Sequence, residues 1–135
     1  MSEINYKSGI YLLEIYLEKM KEVKVGASGL HTFPEGYYYY CGSAQNNLQA
    51  RINRHLSSDK SFHWHIDYLL SESEVNNFYT WPYSGEKECD LANFLYNNLE
   101  GKIIVEEFGA SDCKCRSHLF YFKQVLLADI ICDEF

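Results

Sequence analysis

Apolar and polar positions alternate along the segment from Gly9 to Leu17. Tyr11, Leu13, Ile15 and Leu17 fall on one face of an extended chain, because successive side chains of a strand point to opposite sides. The pattern predicts a buried β-strand. A shorter alternation from Met20 to Val25, with two lysines and a glutamate among the apolar residues, predicts a second, edge-like strand.

Four consecutive tyrosines, residues 37–40, follow a loop predicted for residues 26–36. Aromatic residues favour strands, and alternation places Tyr38 and Tyr40 on one face and Tyr37 and Tyr39 on the other. A buried hydroxyl without a partner costs about 1–3 kcal/mol. The row therefore predicts polar partners for the phenols, or a cleft that they line.

A short amphipathic helix is predicted immediately after the tyrosines. Gly42 allows a tight exit from the strand, and an asparagine at 46 or 47 suits the start of a helix over residues 47–56. Its apolar stripe consists of Leu48, Ile52 and Leu56. Arg51 and His55 are also four residues apart, so they lie on one side of the helix.

The remaining chain mixes strand and helix patterns. Residues 62–70 fit either period, and we favour a helix. The other segments are a strand at 75–81, a helix at about 86–99, a strand at 102–106, a loop at 108–117 and a strand at 118–122. Glu88 falls on the otherwise apolar stripe of its helix. The order predicts the α+β class, a small central antiparallel or mixed sheet flanked by helices.

Composition limits the classes of protein that fit this chain. The 135 residues, 47% of them hydrophobic, predict one domain spanning 1–135 with its core over about 9–122. The net charge of −7 argues against strong non-specific nucleic-acid binding, so any phosphate contact must be local. Without a long apolar run or a secretory signal at Met1, we expect a cytoplasmic protein with no membrane partner.

Two short motifs in order resemble the signature of the GIY-YIG nuclease superfamily. Gly9-Ile10-Tyr11 is followed by Tyr40-Cys41-Gly42, with Cys41 where Ile or Val is usual. The stretches 63–69 (HWHIDYL) and 111–119 (SDCKCRSHL) further resemble one compact branch of that superfamily, whose members stand alone or are fused to DNA-repair endonuclease domains.

The resemblance implies a metal-dependent phosphodiesterase in which the Tyr11 and Tyr40 hydroxyls, Arg51 and a helix glutamate converge on the scissile phosphate. An arginine suits a phosphate because its guanidinium is a permanently charged, bidentate fork. An unperturbed phenol is a poor base at neutral pH, so His55 is the better-poised proton acceptor. Glu88 is the candidate anchor for Mg²⁺, which commonly keeps one or two carboxylates and several waters.

Each of these residues also fits a structural role. The two tyrosines suit an ordinary sheet, Arg51 and His55 suit a solvated helix face, and Glu88 suits the first turn of a helix, where the dipole favours a carboxylate.

A second set of residues carries soft metal donors. The odd count of five cysteines in a reducing compartment favours thiols or metal ligands over a disulfide framework. The candidate Zn²⁺ ligands are Cys89, Cys113, Cys115, His118, His63 and His65. The alternative is that Cys89 is a small buried hydrophobe and that the histidines form local hydrogen bonds.

Two functions therefore remain open. The first is a Mg²⁺-dependent endonuclease-like hydrolase acting on nucleic acid, most naturally DNA, with a DNA-repair protein as a partner. The second is a non-catalytic module that binds nucleic acid or protein on the same fold and is stabilised by zinc. The net acidity of the chain favours the second.

Overall fold

The computed structural model describes residues 4–58, 61–62, 64–110 and 115–135. Its main sheet consists of β1 (Gly9–Leu17), β4 (Gly36–Ala44), β5 (Glu74–Trp81) and β6 (Leu119–Phe122). The strand order over the described residues is β5-β1-β4-β6, and all neighbouring strands are antiparallel. The predicted α+β class, with a small antiparallel sheet flanked by helices, is confirmed.

A separate hairpin lies between β1 and β4. It pairs β2 (Lys21–Lys24) with β3 (Leu30–Phe33) in an antiparallel two-stranded sheet. The prediction of a continuous loop over residues 26–36 is therefore wrong in its centre. The strand β3 has only four residues and is enclosed by glycines, so its sequence carries too little alternation to be distinguished from a loop.

The two faces of the main sheet pack against different helices. One face, which includes Tyr38 and Tyr40, packs against α1 (Leu48–Leu56) and α2 (His65–Leu70). The opposite face, which includes Tyr39, packs against α3 (Lys87–Asn93) and α4 (Ala128–Glu134). The predicted division of the tyrosines between the two faces is confirmed, and it follows from the period of two along a strand.

Several predicted boundaries change in the folded chain. The helix expected over 86–99 is α3 continued by a π-helical turn at Phe94–Asn98. Residues 102–106 do not form the expected strand, because only Lys102 pairs with the sheet, through a bridge to Tyr121. Over the residues that the structure describes, no helix combines the length and apolar character needed to cross a membrane.

Candidate functional site

The Tyr11 hydroxyl forms a hydrogen bond with a histidine at the centre of the site. Its oxygen lies 2.7 Å from Nε2 of His55, which reaches it from α1. The rings of Tyr11 and Tyr40 lie side by side on neighbouring strands, with 6.5 Å between their centroids. The centroid of the Tyr40 ring is 6.1 Å from that of His55. The structure therefore brings together two phenols and one imidazole.

Burial keeps both phenols protonated. Removal from water raises the pKa of Tyr11, and Glu88 nearby raises it further, although the Arg51 guanidinium opposes the change. Burial likewise raises the pKa of Tyr40 well above its usual value, with the Tyr11 phenol and Glu88 adding to the effect. A phenolate at Tyr11 is therefore disfavoured as a general base at neutral pH. The hydroxyl can still hold a water or pass a proton to His55.

Arg51 and Glu88 meet at Ser43, which is near the end of β4. Arg51 donates from Nη1 to the carbonyl oxygen of Ser43 at 3.0 Å. The Ser43 hydroxyl donates to Oε1 of Glu88 at 2.7 Å. One serine thus connects a cation from α1 with a carboxylate from α3, which lie on opposite faces of the sheet.

The Glu88 carboxylate faces a cleft rather than the core. Its second oxygen lies 2.9 Å from Nδ1 of His118, and its side chain is 20% exposed. The cleft has a volume of about 560 Å³ and is also lined by Glu86. Two acidic residues at the start of α3, Glu86 and Glu88, therefore border the same opening.

A second cleft adjoins the first at Ser43 and Gln45. It has a volume of about 610 Å³ and is lined by Arg51 and Arg54 together with several side-chain amides of residues 45–47. A cation and a carboxylate therefore border neighbouring openings. Polar surfaces of this kind suit a phosphate ester and a hard divalent cation.

The two phenols and His55 are buried and are not among the residues that line these two clefts. Tyr11 is 1% exposed, Tyr40 is 8% exposed and His55 is 2% exposed. His55 borders a different opening, beside Leu56 and Phe62. The alternative of a solvated helix face is therefore wrong for His55. It is packed under Tyr11 because α1 turns it inward together with Leu48 and Ile52.

The soft donors form a second cluster beside Glu88. One ligand atom from each of Cys89, Cys115 and His118 lies within 4.8 Å of the others. The two thiols are partly exposed, whereas the histidine is buried. These three residues are close enough to hold a metal ion together, and their sulfur and nitrogen donors suit a borderline-soft divalent cation.

The other predicted zinc ligands do not join this cluster in the part of the chain that the structure describes. Nδ1 of His65 accepts a hydrogen bond from the Gly109 backbone at 3.3 Å, and its ring packs against Phe108. His63 and Cys113 lie outside the described residues. Three of the six candidate donors are therefore placed together.

Sequence reasoning did not identify the residues that surround Arg51. Ser43 had no signal beyond its position directly after Gly42. Trp64 lies beneath the guanidinium groups of Arg51 and Arg54, whose central carbons are 4.6 and 4.2 Å from its ring centroid. The helix predicted over residues 62–70 places Trp64 at its start. It gives no indication that Trp64 packs against the arginines of α1.

These features define an α+β domain whose four-stranded antiparallel sheet supports a cluster of tyrosine, arginine, histidine and glutamate side chains. The chain belongs to the family described as domain of unknown function DUF123, a GIY-YIG-like family, whose family model matches residues 10–133. No curated protein and no solved structure matches the chain.

Proposed function

We propose that this protein hydrolyses phosphodiester bonds of nucleic acid, with DNA as the expected polymer and DNA repair as the expected process. The observation that carries the proposal is the link through Ser43, which holds Arg51 and Glu88 at adjoining clefts, close enough to Tyr11 and Tyr40 to influence the pKa of both phenols. Phosphoryl transfer depends mainly on positioning and on electrostatic stabilisation, and this arrangement supplies both.

The local charge supports a nucleic-acid substrate despite the net charge of −7. Residues 36–58 contain no aspartate or glutamate, although the chain has 19 of them, and they include Arg51 and Arg54. Both arginines line the cleft beside Ser43. Arg54 is paired with the buried Asp67, so Arg51 is the cation that a phosphate would meet there, and the acidic remainder of the chain would limit binding elsewhere.

Each residue of the site has a distinct role in this proposal. Arg51 binds a non-bridging phosphate oxygen. Tyr11 orients the attacking water and passes a proton to His55, so that no stable phenolate is needed. Tyr40 packs beside Tyr11 and holds its ring in place.

Glu88 would hold Mg²⁺ at the cleft. The donor set fits, because Mg²⁺ is commonly bound by one or two carboxylates while waters and phosphate complete its shell. Each Glu88 oxygen has two lone pairs, so its contacts with Ser43 and His118 leave acceptor capacity. A bound Mg²⁺ would neutralise charge on the phosphoryl oxygens. Glu86, which lines the same cleft, would add negative potential.

A cleavage assay tests the proposal. The wild type is incubated with plasmid, branched and single-stranded DNA at low salt, with Mg²⁺, with Mn²⁺ or with neither. We expect Mg²⁺-dependent cleavage, a loss of about 100-fold to 10,000-fold in Tyr11→Phe and a loss of at least about 100-fold in Glu88→Ala. Asp90→Ala removes an exposed carboxylate from the same helix and should retain activity. Equal traces in every lane would refute hydrolysis.

The near-complete burial of Tyr11 supports the second candidate function. At 1% exposure its hydroxyl has almost no open path to a substrate in this conformation. A non-catalytic module that binds nucleic acid or protein on the same scaffold would show this burial. A gel mobility shift of DNA without cleavage would support that function, if Arg51→Ala abolishes the shift and Tyr11→Phe leaves it unchanged.

We further propose that the cluster of Cys89, Cys115 and His118 binds zinc. Two thiolates and one imidazole are donors typical of zinc sites, and the cluster connects α3 to the segment that leads into β6. Such a cross-link would stabilise the part of the fold that positions Glu88. The zinc would act by holding structure, since metal binding is coupled to folding.

Elemental analysis and cobalt substitution test the zinc proposal. We expect about one zinc per chain, and a thiolate-to-metal absorption band when Co²⁺ replaces it. Cys89→Ser should lose both signals and unfold at a lower temperature. Cys132→Ser, which changes an exposed cysteine outside the cluster, should keep them. Freshly purified protein without zinc and without a Co²⁺ thiolate band would refute the site.

A further inference from the structure

Three side chains, which we call the Arg–Trp cluster, lie beside the cleft at Ser43. They are Arg51, Arg54 and Trp64. Both guanidinium carbons lie over the indole, at 4.6 Å for Arg51 and 4.2 Å for Arg54. The face of an indole is electron-rich, so it attracts cations at this distance. The cluster joins α1 to the residue that precedes α2.

A buried carboxylate fixes one side of the cluster. Asp67 is fully buried, and its two oxygens accept hydrogen bonds from Nη1 and Nη2 of Arg54, each at 3.0 Å. Oδ2 of Asp67 also accepts the backbone N–H of Trp64 at 2.9 Å. One carboxylate therefore holds both the residue that carries the indole and one of the two arginines stacked on it.

The two arginines differ in charge compensation. The charge of Arg54 is matched by Asp67 in a bidentate ion pair. Within the described residues, Arg51 has no ion pair; it donates to the neutral carbonyl oxygen of Ser43 and also interacts with the neutral Tyr11 hydroxyl. Because Asp67 neutralises Arg54, the indole can hold two guanidinium groups without strong repulsion. Arg51 retains its charge at the cleft.

We infer that Trp64 is a positioning residue that fixes the Arg51 guanidinium at the cleft for a phosphate group, and that the Asp67–Arg54 pair fixes Trp64 in turn. This inference rests on the proposed function, in which Arg51 binds the phosphate. A free arginine side chain has many rotamers, and ordering it in advance strengthens phosphate binding. The inference also gives a role to the HWHIDYL stretch, of which Trp64 and Asp67 are part.

The position of Arg51 is tested by NMR, independently of activity. A guanidinium over an indole experiences a ring-current shift, so the Nε–H signal of Arg51 should move toward its random-coil position in Trp64→Leu. Trp64→Phe should keep part of the shift because it retains an aromatic face. The control is Trp81→Phe, since the other tryptophan packs in the opposite core and should leave the signal unchanged. An Arg51 Nε–H chemical shift that is the same in Trp64→Leu and in the wild type would overturn the inference.

The consequence for binding is tested with a double-mutant cycle on a short single-stranded DNA of fixed sequence. Trp64→Leu should weaken binding by about 3-fold to 30-fold, the range of one cation–π contact. In the Arg51→Ala background the same change should have little further effect, because its target is gone. Additive losses would mean that Trp64 contacts the DNA itself, and they would overturn the positioning role.

The outcomes separate this inference from the proposed function. Coupled losses of affinity, with Trp64→Phe partly rescued, would support both. A ring-current shift at Arg51 without any DNA binding or cleavage by the wild type would refute the proposed function and with it the phosphate-positioning role. DNA binding with additive losses would leave the proposed function standing. The backbone amide spectra of each variant show whether its fold is intact.

Discussion

Gly42 lies directly against the ring of Tyr11 in the neighbouring strand. A Cβ atom at this position would be 2.2 Å from Cζ of Tyr11 and 2.3 Å from its hydroxyl oxygen. The residue was expected to end the strand, but β4 continues through it to Ala44 and pairs it with Tyr11. Glycine is needed here because the phenol occupies the space of a side chain.

We predict that Gly42→Ala destabilises the protein by about 1–3 kcal/mol, because the added methyl group must displace the Tyr11 ring or the strand. The free energy of unfolding is measured with urea. Gly85→Ala is the matched control, since a Cβ there would make ordinary contacts at 3.7 and 3.9 Å. Equal stability of the two variants would show that the site tolerates a methyl group and that the close approach is not required.

At the scale of elements, α1 positions the cationic side of the site. It carries Arg51, Arg54 and His55 within nine residues, a length that is marginal for an isolated helix. Asn47 begins it, and its side-chain oxygen accepts the backbone N–H of Ala50 at 3.0 Å. Arg54 and His55 occupy its last turn, where the helix dipole favours positive charge. The cap predicted from the sequence is therefore formed at Asn47.

Asn47→Ala should lower the free energy of unfolding by about 0.5–2 kcal/mol, because it leaves a donor of the first turn without its partner. Asn46→Ala removes an exposed amide one position earlier, and we expect it to stay within about 0.5 kcal/mol of the wild type. Thermal unfolding followed by circular dichroism compares the two variants. A larger loss of stability in Asn46→Ala than in Asn47→Ala would show that Asn46, and not Asn47, caps the helix.

At the scale of the whole molecule, the main sheet separates two cores that both contain tyrosines. Tyr11, Tyr38 and Tyr40 belong to one core, and Tyr39 belongs to the other. Burial raises the pKa of all four phenols. The Tyr39 hydroxyl donates to Oε1 of Glu14 at 2.8 Å, which places a buried carboxylate within the sheet. The fold thus keeps these four phenols protonated and neutral.

The raised pKa of these buried phenols predicts a loss of stability in alkali. The pKa of each buried phenol is raised, so above about pH 10 the unfolded chain has lost protons that the folded chain retains. The free energy of unfolding then falls as pH rises, by up to about 1.4 kcal/mol per pH unit for each such tyrosine. Urea titrations from about pH 8 to about pH 11 measure the slope. Constant stability across that range would contradict the assignment of neutral buried phenols.

Much of the site could be predicted from local sequence patterns. The alternation along β1 and β4 places Tyr11 and Tyr40 on one face, and helical spacing places Arg51 and His55 on one side of α1. The solvent exposure of each side chain could not be predicted, because it depends on what packs over that residue. Helical spacing was compatible with His55 on a solvated helix face, yet α1 lies so close to the sheet that this ring is buried under Tyr11.

The sequence by itself determined the α+β class, the strand faces and the start of α1, because these depend on periods of 2 and 3.6 residues and on a local cap. Only the tertiary structure decided that Ser43 joins Arg51 to Glu88, that Trp64 lies under two arginines, and that Cys89 meets Cys115 and His118. The physical reason is the range of the interaction. Periodicity and caps act between near neighbours, whereas these contacts join segments whose approach is fixed by packing of the whole chain.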